Sequence, residues 1–439
     1  MKLTAAYVLF FRHACFLSVV LLMATGASAR ANTDGAQAHA THWVASWTAS
    51  PQPVWTPDFA FPTGIPPSLE NQTVRQIARI SLGGRRLRLV FSNAYGNLPL
   101  NIDAVTVALS DGGSAIQPDS LQTVMFGGKA HATIPPGAPL VSDPVALSTP
   151  DLTRLAISIH SDNTTPLTTF HWDGRQTAWI APGNQTTAQA IDTANTITAR
   201  VLLTGIEVEA TASAQAVAII GDSITDGNMA SLDADTRWPD FLAKRLAPQG
   251  VAVVNAGISG ARLLRDGMGV NGVARFERDA LSLPGVSSVI VLLGINDISW
   301  PGTLFAPHHA RPTLSELTAG YRQLAEQAHR KGIKLIGATL TPFEGALPNT
   351  PLNNYYNADK NALRQQLNRW IRHSGVFDAV VDFDRQLRDP LHPNRLQTAF
   401  DSGDHLHPGD KGNRAMADSV PLETVLAPSH SVKQGAHHE

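Results

Sequence analysis

A β-sandwich-like domain followed by an α/β domain is the architecture this sequence predicts, on three observations. Between about residues 43 and 210, short segments alternate apolar and polar residues and are separated by Pro- and Gly-rich breaks. Beyond about residue 211 the period changes, and apolar runs alternate with helical stretches, the pattern of a parallel sheet wrapped by helices. The length, 439 residues, also exceeds what one hydrophobic core usually supports.

The first thirty residues have the grammar of an export signal: Lys2, then Arg12 and His13, then the apolar run from Ala14 to Thr25, then Ala27-Ser-Ala29 as a small-x-small cleavage site. A signal peptide is therefore expected over 1–31, cleaved near Ala29–Ala31, and with it a secreted or periplasmic protein. The rival reading is a membrane anchor, but Arg12 and His13 interrupt a run that would need about 20 apolar residues to span. Once the signal is cleaved, no stable membrane anchor is expected. Cys15, the only cysteine, lies inside this segment. A mature chain would then have no thiol for disulfides, zinc or nucleophilic catalysis.

Residues 32–42 read as a flexible leader and 43–210 as the β domain. Ile77–Leu82 and Leu87–Phe91 flank Gly83-Gly84 and read as a hairpin, since paired glycines supply the positive φ of tight turns. Val105, Val107 and Leu109 alternate with smaller or polar residues, as do Leu155, Ile157 and Ile159. In the second domain, expected over 211–427, the strand candidates are Ala216–Ile220, Val251–Val254, Val286–Leu293, Ile333–Leu340 and Phe377–Val381. Thr313-Leu-Ser-Glu316 is a capping box with Gly332 at the far end of its helix, and a second helix is expected from Ala358 to His373. Residues 428–439 read as a flexible tail. Lys plus Arg total 34 against 36 for Asp plus Glu, with no long block of either sign, which argues against a nucleic-acid partner.

In an open α/β sheet, ligands bind beyond the carboxyl ends of the strands. Polar segments follow three of the strand candidates: Gly221-Asp-Ser223, Asn255-Ala-Gly-Ile-Ser-Gly260 and Gly294-Ile-Asn-Asp297; Asp401-Ser-Gly-Asp-His-Leu-His-Pro408 comes near the C-terminus. A serine hydroxyl becomes a nucleophile only when a base accepts its proton and a third group orients that base. Asp404-His-Leu-His407 can supply both from one turn. The N–H groups of Ser223 and Gly260 and the Asn296 amide can supply oxyanion donors.

Each residue also has a plainer reading. Ser223 can be a helix N-cap, and Gly260 and Asn296 can be turn residues. Asp222 and Asp297 read as turn and hydrogen-bonding residues, and Asp226 with its acidic neighbours suggests either a metal site or structural carboxylates. His405 with Asp401 competes with His407 and Asp404.

Taken together, the four blocks resemble the signatures of the SGNH (GDSL-type) serine hydrolase family. The resemblance covers about residues 214–425 and implies a flavodoxin-like three-layer domain with esterase, lipase or thioesterase chemistry. It implies Ser223 as nucleophile, Asp404 and His407 as the rest of the triad, and Ser223, Gly260 and Asn296 as the oxyanion hole. Pro408, directly after His407, selects that histidine over His405. The β segment is similar, through Trp43-Val-Ala-Ser-Trp-Thr-Ala-Ser-Pro51 and Asn71-Gln-Thr-Val-Arg-Gln76, to the N-terminal portion of secreted bacterial members.

No His-Glu-x-x-His, Walker or Gly-x-Ser-x-Gly motif occurs, and no cofactor or metal is expected. The His437-His-Glu439 tail has metal-ligand composition only. The expected activity is hydrolysis of carboxylic esters through an acyl-enzyme, most of all deacetylation of O-acetylated carbohydrate. A lipase or aryl esterase is the alternative, and a carbohydrate-binding protein with an inactive hydrolase domain is the alternative of another class. Trp43, Trp47, Trp55, Trp172 and Trp179 can stack on sugar rings or fill a core.

Overall fold

The computed structural model describes residues 41–426. The expected signal segment with Cys15, the leader up to residue 40, and the 428–439 tail with His437 lie outside the described residues.

Eight strands carry the first region: β1 (Thr41–Thr48), β2 (Gln72–Arg79), β3 (Leu87–Ser92), β4 (Ala104–Gly112), β5 (Pro139–Val141), β6 (Arg154–Ser161), β7 (Ala178–Pro182) and β8 (Leu203–Thr211), with shorter strands between them. One sheet has the order β1-β8-β3-β5, and β7-β2-β6-β4 form the centre of a larger one. The alternation read in the sequence explains how they pack, because successive strand residues face opposite sides. Val105, Val107, Leu155, Ile157 and Ile159 are fully buried in one core with Leu89, Phe91, Ile206 and Val208 of the other sheet. Ile77, Ala108 and Ala156, on the opposite face, form a small cluster under Trp179.

The expected hairpin around Gly83-Gly84 does not form. Ile77 lies on β2 in the larger sheet, whereas β3 belongs to the four-stranded sheet, so the glycines sit on a crossover. Neither has positive φ. They are needed for close approach: a Cβ on Gly83 would meet the Thr149 carbonyl oxygen at 2.1 Å, and one on Gly84 would meet that of Glu209 at 2.7 Å.

Beyond residue 211 come β9 (Gln215–Gly221), β10 (Val251–Gly257), β11 (Val286–Leu292), β12 (Lys334–Ala338) and β13 (Ala379–Val381). They form one parallel sheet in the order β10-β9-β11-β12-β13. This is the doubly wound order of flavodoxin-like sheets. All of β9 except Gln215 is buried, which is why it reads as a continuous apolar run rather than an alternating one.

The α-helices are α1 (Ser223–Asp226), α2 (Trp238–Leu246), α3 (Gly272–Phe276), α4 (Ile295–Ser299), α5 (Leu314–Arg330), α6 (Ala358–His373), α7 (Phe383–Leu387), α8 (Asp410–Ser419) and α9 (Leu422–Leu426). The first crossover moves one way from β9 and the later ones the other way. Right-handed connections therefore put α2 on one face and α3, α5 and α6 on the other. In keeping with this, α8 packs on α2 and α7, and α5 packs on α3 and α6. The capping box opens α5 as read: the Glu316 N–H donates to Thr313 Oγ1 at 3.2 Å, and the Thr313 N–H to Glu316 Oε2 at 2.7 Å. No helix among the described residues is long and apolar enough to cross a membrane.

The two regions pack as a single unit. The Ala45 N–H of β1 donates to the Pro284 carbonyl at 2.9 Å, Thr48 Oγ1 to the Asn255 carbonyl at 3.0 Å, and the Val253 N–H to Ser81 Oγ at 3.0 Å. The β region thus reaches the carboxyl end of β10, where one of the polar segments begins.

Candidate active site

At the end of β9 the chain turns sharply into α1. Gly221 makes this possible, since a Cβ there would meet Thr225 Oγ1 at 2.1 Å. The N-cap of α1 is Asp222, whose Oδ1 accepts the Ile224 N–H at 3.0 Å; Ser223 is the first helical residue, so the N-cap reading applies to its neighbour. Ser223 Oγ is thereby free of a capping duty. It stands 2.8 Å from His407 Nε2.

His407 lies in the loop before α8. Its Nδ1 donates to Asp404 Oδ2 at 2.6 Å, while Asp404 Oδ1 accepts the N–H groups of Leu406 at 2.9 Å and His407 at 2.8 Å. Burial raises the Asp404 carboxyl, but the His407 ring and these N–H donors outweigh it and hold the group well below the usual carboxylate range. Asp404 therefore stays an acceptor, which puts the proton of a neutral imidazole on Nδ1 and leaves Nε2 to accept from Ser223.

The competing pair is also formed: His405 Nδ1 lies 2.5 Å from Asp401 Oδ2. Of the two histidines only His407 hydrogen-bonds to Ser223 Oγ among the described residues, however, and the His405 side chain is 47% exposed against 8% for that of His407.

Three strand ends are tied into one cluster. The Ile258 N–H donates to the Gly221 carbonyl at 3.1 Å, and Asn296 Nδ2 to the Ala261 carbonyl at 3.0 Å. Asp297 accepts the N–H groups of Leu263 at 2.6 Å and Leu264 at 2.9 Å. Arg275, fully buried, donates to the carbonyls of both Gly221 and Ala256. Gly260 has φ +73°, and a Cβ there would meet Met268 Sδ at 2.3 Å, so the position is closed to other residues. The N–H groups of Ser223 and Gly260 make no hydrogen bond among the described residues. One proton of the Asn296 amide is also uncommitted. Such donors can stabilise an oxyanion.

Tyr355 is a residue that the sequence analysis missed. Its hydroxyl donates to Asn296 Oδ1 at 2.7 Å, which fixes the amide with its nitrogen away from Tyr355. Burial pushes the phenol well above its ordinary range, so it remains a donor. Tyr355→Phe is expected to lower kcat roughly tenfold with little change in KM, about the worth of one hydrogen bond to an oriented amide. Steady-state kinetics on a small ester checks this.

Asp222 and Asp297 are buried hydrogen-bonding residues, as read. Burial pushes Asp222 up to about 7 and Asp297 up to about 6. An Asp222 carboxyl in the unfolded chain loses its proton near 3.8, so its contribution to stability is present below that pH and lost as pH rises through about 7. Asp222→Asn removes this loss. Its melting temperature relative to wild type is expected to climb between about pH 5 and about pH 8, by roughly 1–2 °C per kcal/mol relieved. A pair of thermal melts at the two pH values measures it.

Asp226 is structural: it is 1% exposed and accepts from Ser259 and His171. No cluster of His, Cys, Asp and Glu able to hold a metal occurs among the described residues. The tryptophans divide. Trp43 lies under the Arg88 guanidinium at 4.2 Å, Trp47 is near Arg200, and Trp179 packs in the small cluster. Trp55 and Trp172, both half-buried, join Phe59, Phe61 and Phe305 in an aromatic group. Through Trp300, which packs on Phe305, this group abuts Gly260.

Residues 217–420 match the family model described as GDSL-like Lipase/Acylhydrolase. A comparison with curated proteins finds no match. Among solved structures the chain is similar to a GDSL-like lipase from Bacteroides thetaiotaomicron, at 17% identity over 48% of this chain and 87% of that one, with a TM-score of 0.36. It is similar to an acetyl xylan esterase at 20% identity over 46% of this chain and 96% of the other, with a TM-score of 0.34. A family two carbohydrate esterase from Cellvibrio japonicus aligns over 88% of this chain and 98% of its own at 14% identity, with a TM-score of 0.34.

Proposed function

We propose that this chain, which over residues 217–420 belongs to the GDSL-like lipase/acylhydrolase family, is a serine esterase that works through an acyl-enzyme on Ser223. The family implies ester hydrolysis. The observation that carries the assignment to particular residues is the unbroken chain of hydrogen bonds from Ser223 Oγ through His407 to Asp404, at 2.8 and 2.6 Å.

In this mechanism His407 Nε2 takes the Ser223 proton as Oγ attacks the ester carbonyl carbon. The carbonyl π pair moves onto oxygen, where the N–H groups of Ser223 and Gly260 and the Asn296 amide receive it. As the carbonyl re-forms, the bond to the leaving alcohol breaks and the alcohol takes the proton from His407. Water then attacks the acyl-enzyme, giving its proton to His407, and the carboxylic acid leaves as Ser223 recovers that proton.

The favoured substrates are O-acetylated carbohydrates met outside the cytoplasm, as the expected export signal would require. Half-buried Trp55 and Trp172 beside the site support this reading through the apolar surface they offer a sugar ring, their N–H groups being spent on the Met268 and Pro62 carbonyls. The same surface supports a second reading, a lipase or aryl esterase. A binding protein with an inactive hydrolase domain fits less well, because the serine–histidine–aspartate chain is intact.

Incubation with a fluorophosphonate probe followed by peptide mapping tests the assignment, with covalent modification of Ser223 expected and an unmodified serine counting against it. Acetate release from acetylated xylan, set against cleavage of long-chain esters, decides between the two substrate classes.

A further inference from the structure

Ser259, which precedes the Gly260 N–H, is held by a network that reaches from the α/β domain into the β region. Asp226 Oδ2 accepts the Ser259 N–H at 2.7 Å and Ser259 Oγ at 2.9 Å. Its Oδ1 accepts from His171 Nε2 at 2.9 Å, and His171 Nδ1 donates to the Ser50 carbonyl at 3.1 Å. Asp173 Oδ2 accepts Asn228 Nδ2 at 2.8 Å and stands 3.2 Å from Ser259 Oγ. His171, Asp173 and Ser50 belong to the β region; Asp226, Asn228 and Ser259 follow β9 and β10. Gly257 permits the approach, since a Cβ there would meet the Asp226 nitrogen at 2.4 Å.

We propose that His171 and Asp173 are positioning residues that aim the Gly260 N–H at the oxyanion, so that the β region completes the catalytic apparatus rather than merely adjoining it.

The hydrogen bonding supports this. Both nitrogens of His171 face acceptors, a carbonyl and a carboxylate, so the ring is held on both sides. Ser259 Oγ faces two carboxylates, Asp226 at 2.9 Å and Asp173 at 3.2 Å, so each domain holds the same hydroxyl. Burial, with Asp226 beside it, raises the Asp173 carboxyl, against Asn228, Arg175 and Arg237. All four of His171, Asp173, Asp226 and Ser259 are buried, so loss of one member leaves the others unpaired in low dielectric.

The network reaches the proposed chemistry through one peptide bond. On its far side, the Ala261 N–H donates to the Ile258 carbonyl at 2.9 Å and the Ala261 carbonyl accepts from Asn296. On its near side Ser259 is anchored, among the described residues, by Asp226 and Asp173. If that anchor loosens, the Gly260 N–H is free to turn off the oxyanion while the triad and the substrate surface stay in place. The expected signature is therefore a loss in kcat and not in KM.

This inference rests on the serine-esterase reading, and the experiment separates the two. Wild type and Ser223→Ala are first compared on p-nitrophenyl acetate; if the wild type is inactive, or the variant is not impaired, the esterase reading fails. With that established, His171→Ala is expected to lower kcat about 10- to 100-fold with KM within about twofold, less than the roughly 10²- to 10³-fold cost of losing an oxyanion donor outright because the Gly260 N–H is displaced and not removed. Ser259→Ala, which removes a single hydroxyl, is expected to show the same split and decides the matter if His171→Ala does not give a cooperative melt. A folded variant with wild-type kcat, or a loss that appears as raised KM, overturns the proposal.

Discussion

Ser223→Ala is expected to lower turnover of p-nitrophenyl acetate by about 10⁴-fold or more, with folding and substrate affinity nearly unchanged. The size follows from what the hydroxyl does in the proposed cycle. It is the only atom that bonds to the acyl carbon, and it lies at the end of a chain whose other members serve to activate it. Without it His407 can at best activate a water, and the oxyanion donors still bind the polarised carbonyl. The residue expected is that of donors and binding alone. Structurally the change is small: Ser223 Oγ has one partner, caps nothing, and its N–H is untouched. Melts that superimpose on wild type, with turnover at background, are the expected pair of results. Turnover within about tenfold of wild type would remove Ser223 from the mechanism.

How far this site could be read in advance depends on distance along the chain. The parallel strands were legible because burial on both faces writes them as uninterrupted apolar runs, and their ends then mark where polar residues gather. The expected helix from Ala358 to His373 has local causes too, an amphipathic face and an Asn357 cap that the structure shows.

Gly83-Gly84 misled because glycine serves two purposes that look alike in sequence. A tight turn needs its positive φ, a crossover needs its missing side chain, and only the partner strand tells them apart. Between His405 and His407 the resemblance had already chosen the second through Pro408, but the 2.8 Å contact that bears on the choice, His407 Nε2 to Ser223 Oγ, spans 184 residues and no local spacing encodes it. Tyr355, His171 and Asp173 were invisible for a third reason. Tyr355 meets Asn296 across 59 residues and His171 meets Asp226 across 55, with no periodicity or motif around Tyr355 or His171 themselves.

Asp404→Asn is expected to cost about 10⁴-fold in kcat while leaving the loop in place, and the reason is a tautomer. In the wild type Asp404 Oδ1 is committed to the N–H groups of Leu406 and His407, and Oδ2 faces His407 Nδ1. An asparagine keeps the first two bonds only by placing its oxygen where Oδ1 was, which puts its NH2 group against Nδ1. Two donors cannot face each other at about 2.6 Å, so Nδ1 must give up its proton and accept. The imidazole proton then moves to Nε2, the atom that has to accept from Ser223. Flipping the amide instead would turn NH2 toward two backbone donors and forfeit both bonds, a loss of about 1 kcal/mol or more each. The geometry therefore locks the ring in the form that cannot act as a base, although every side chain keeps its position. Because the defect is a tautomer and not a charge, raising the pH over about 6 to 9 should not restore the rate. A variant with near-normal kcat, or one whose activity returns with pH, would show that Asp404 does not set the proton on His407.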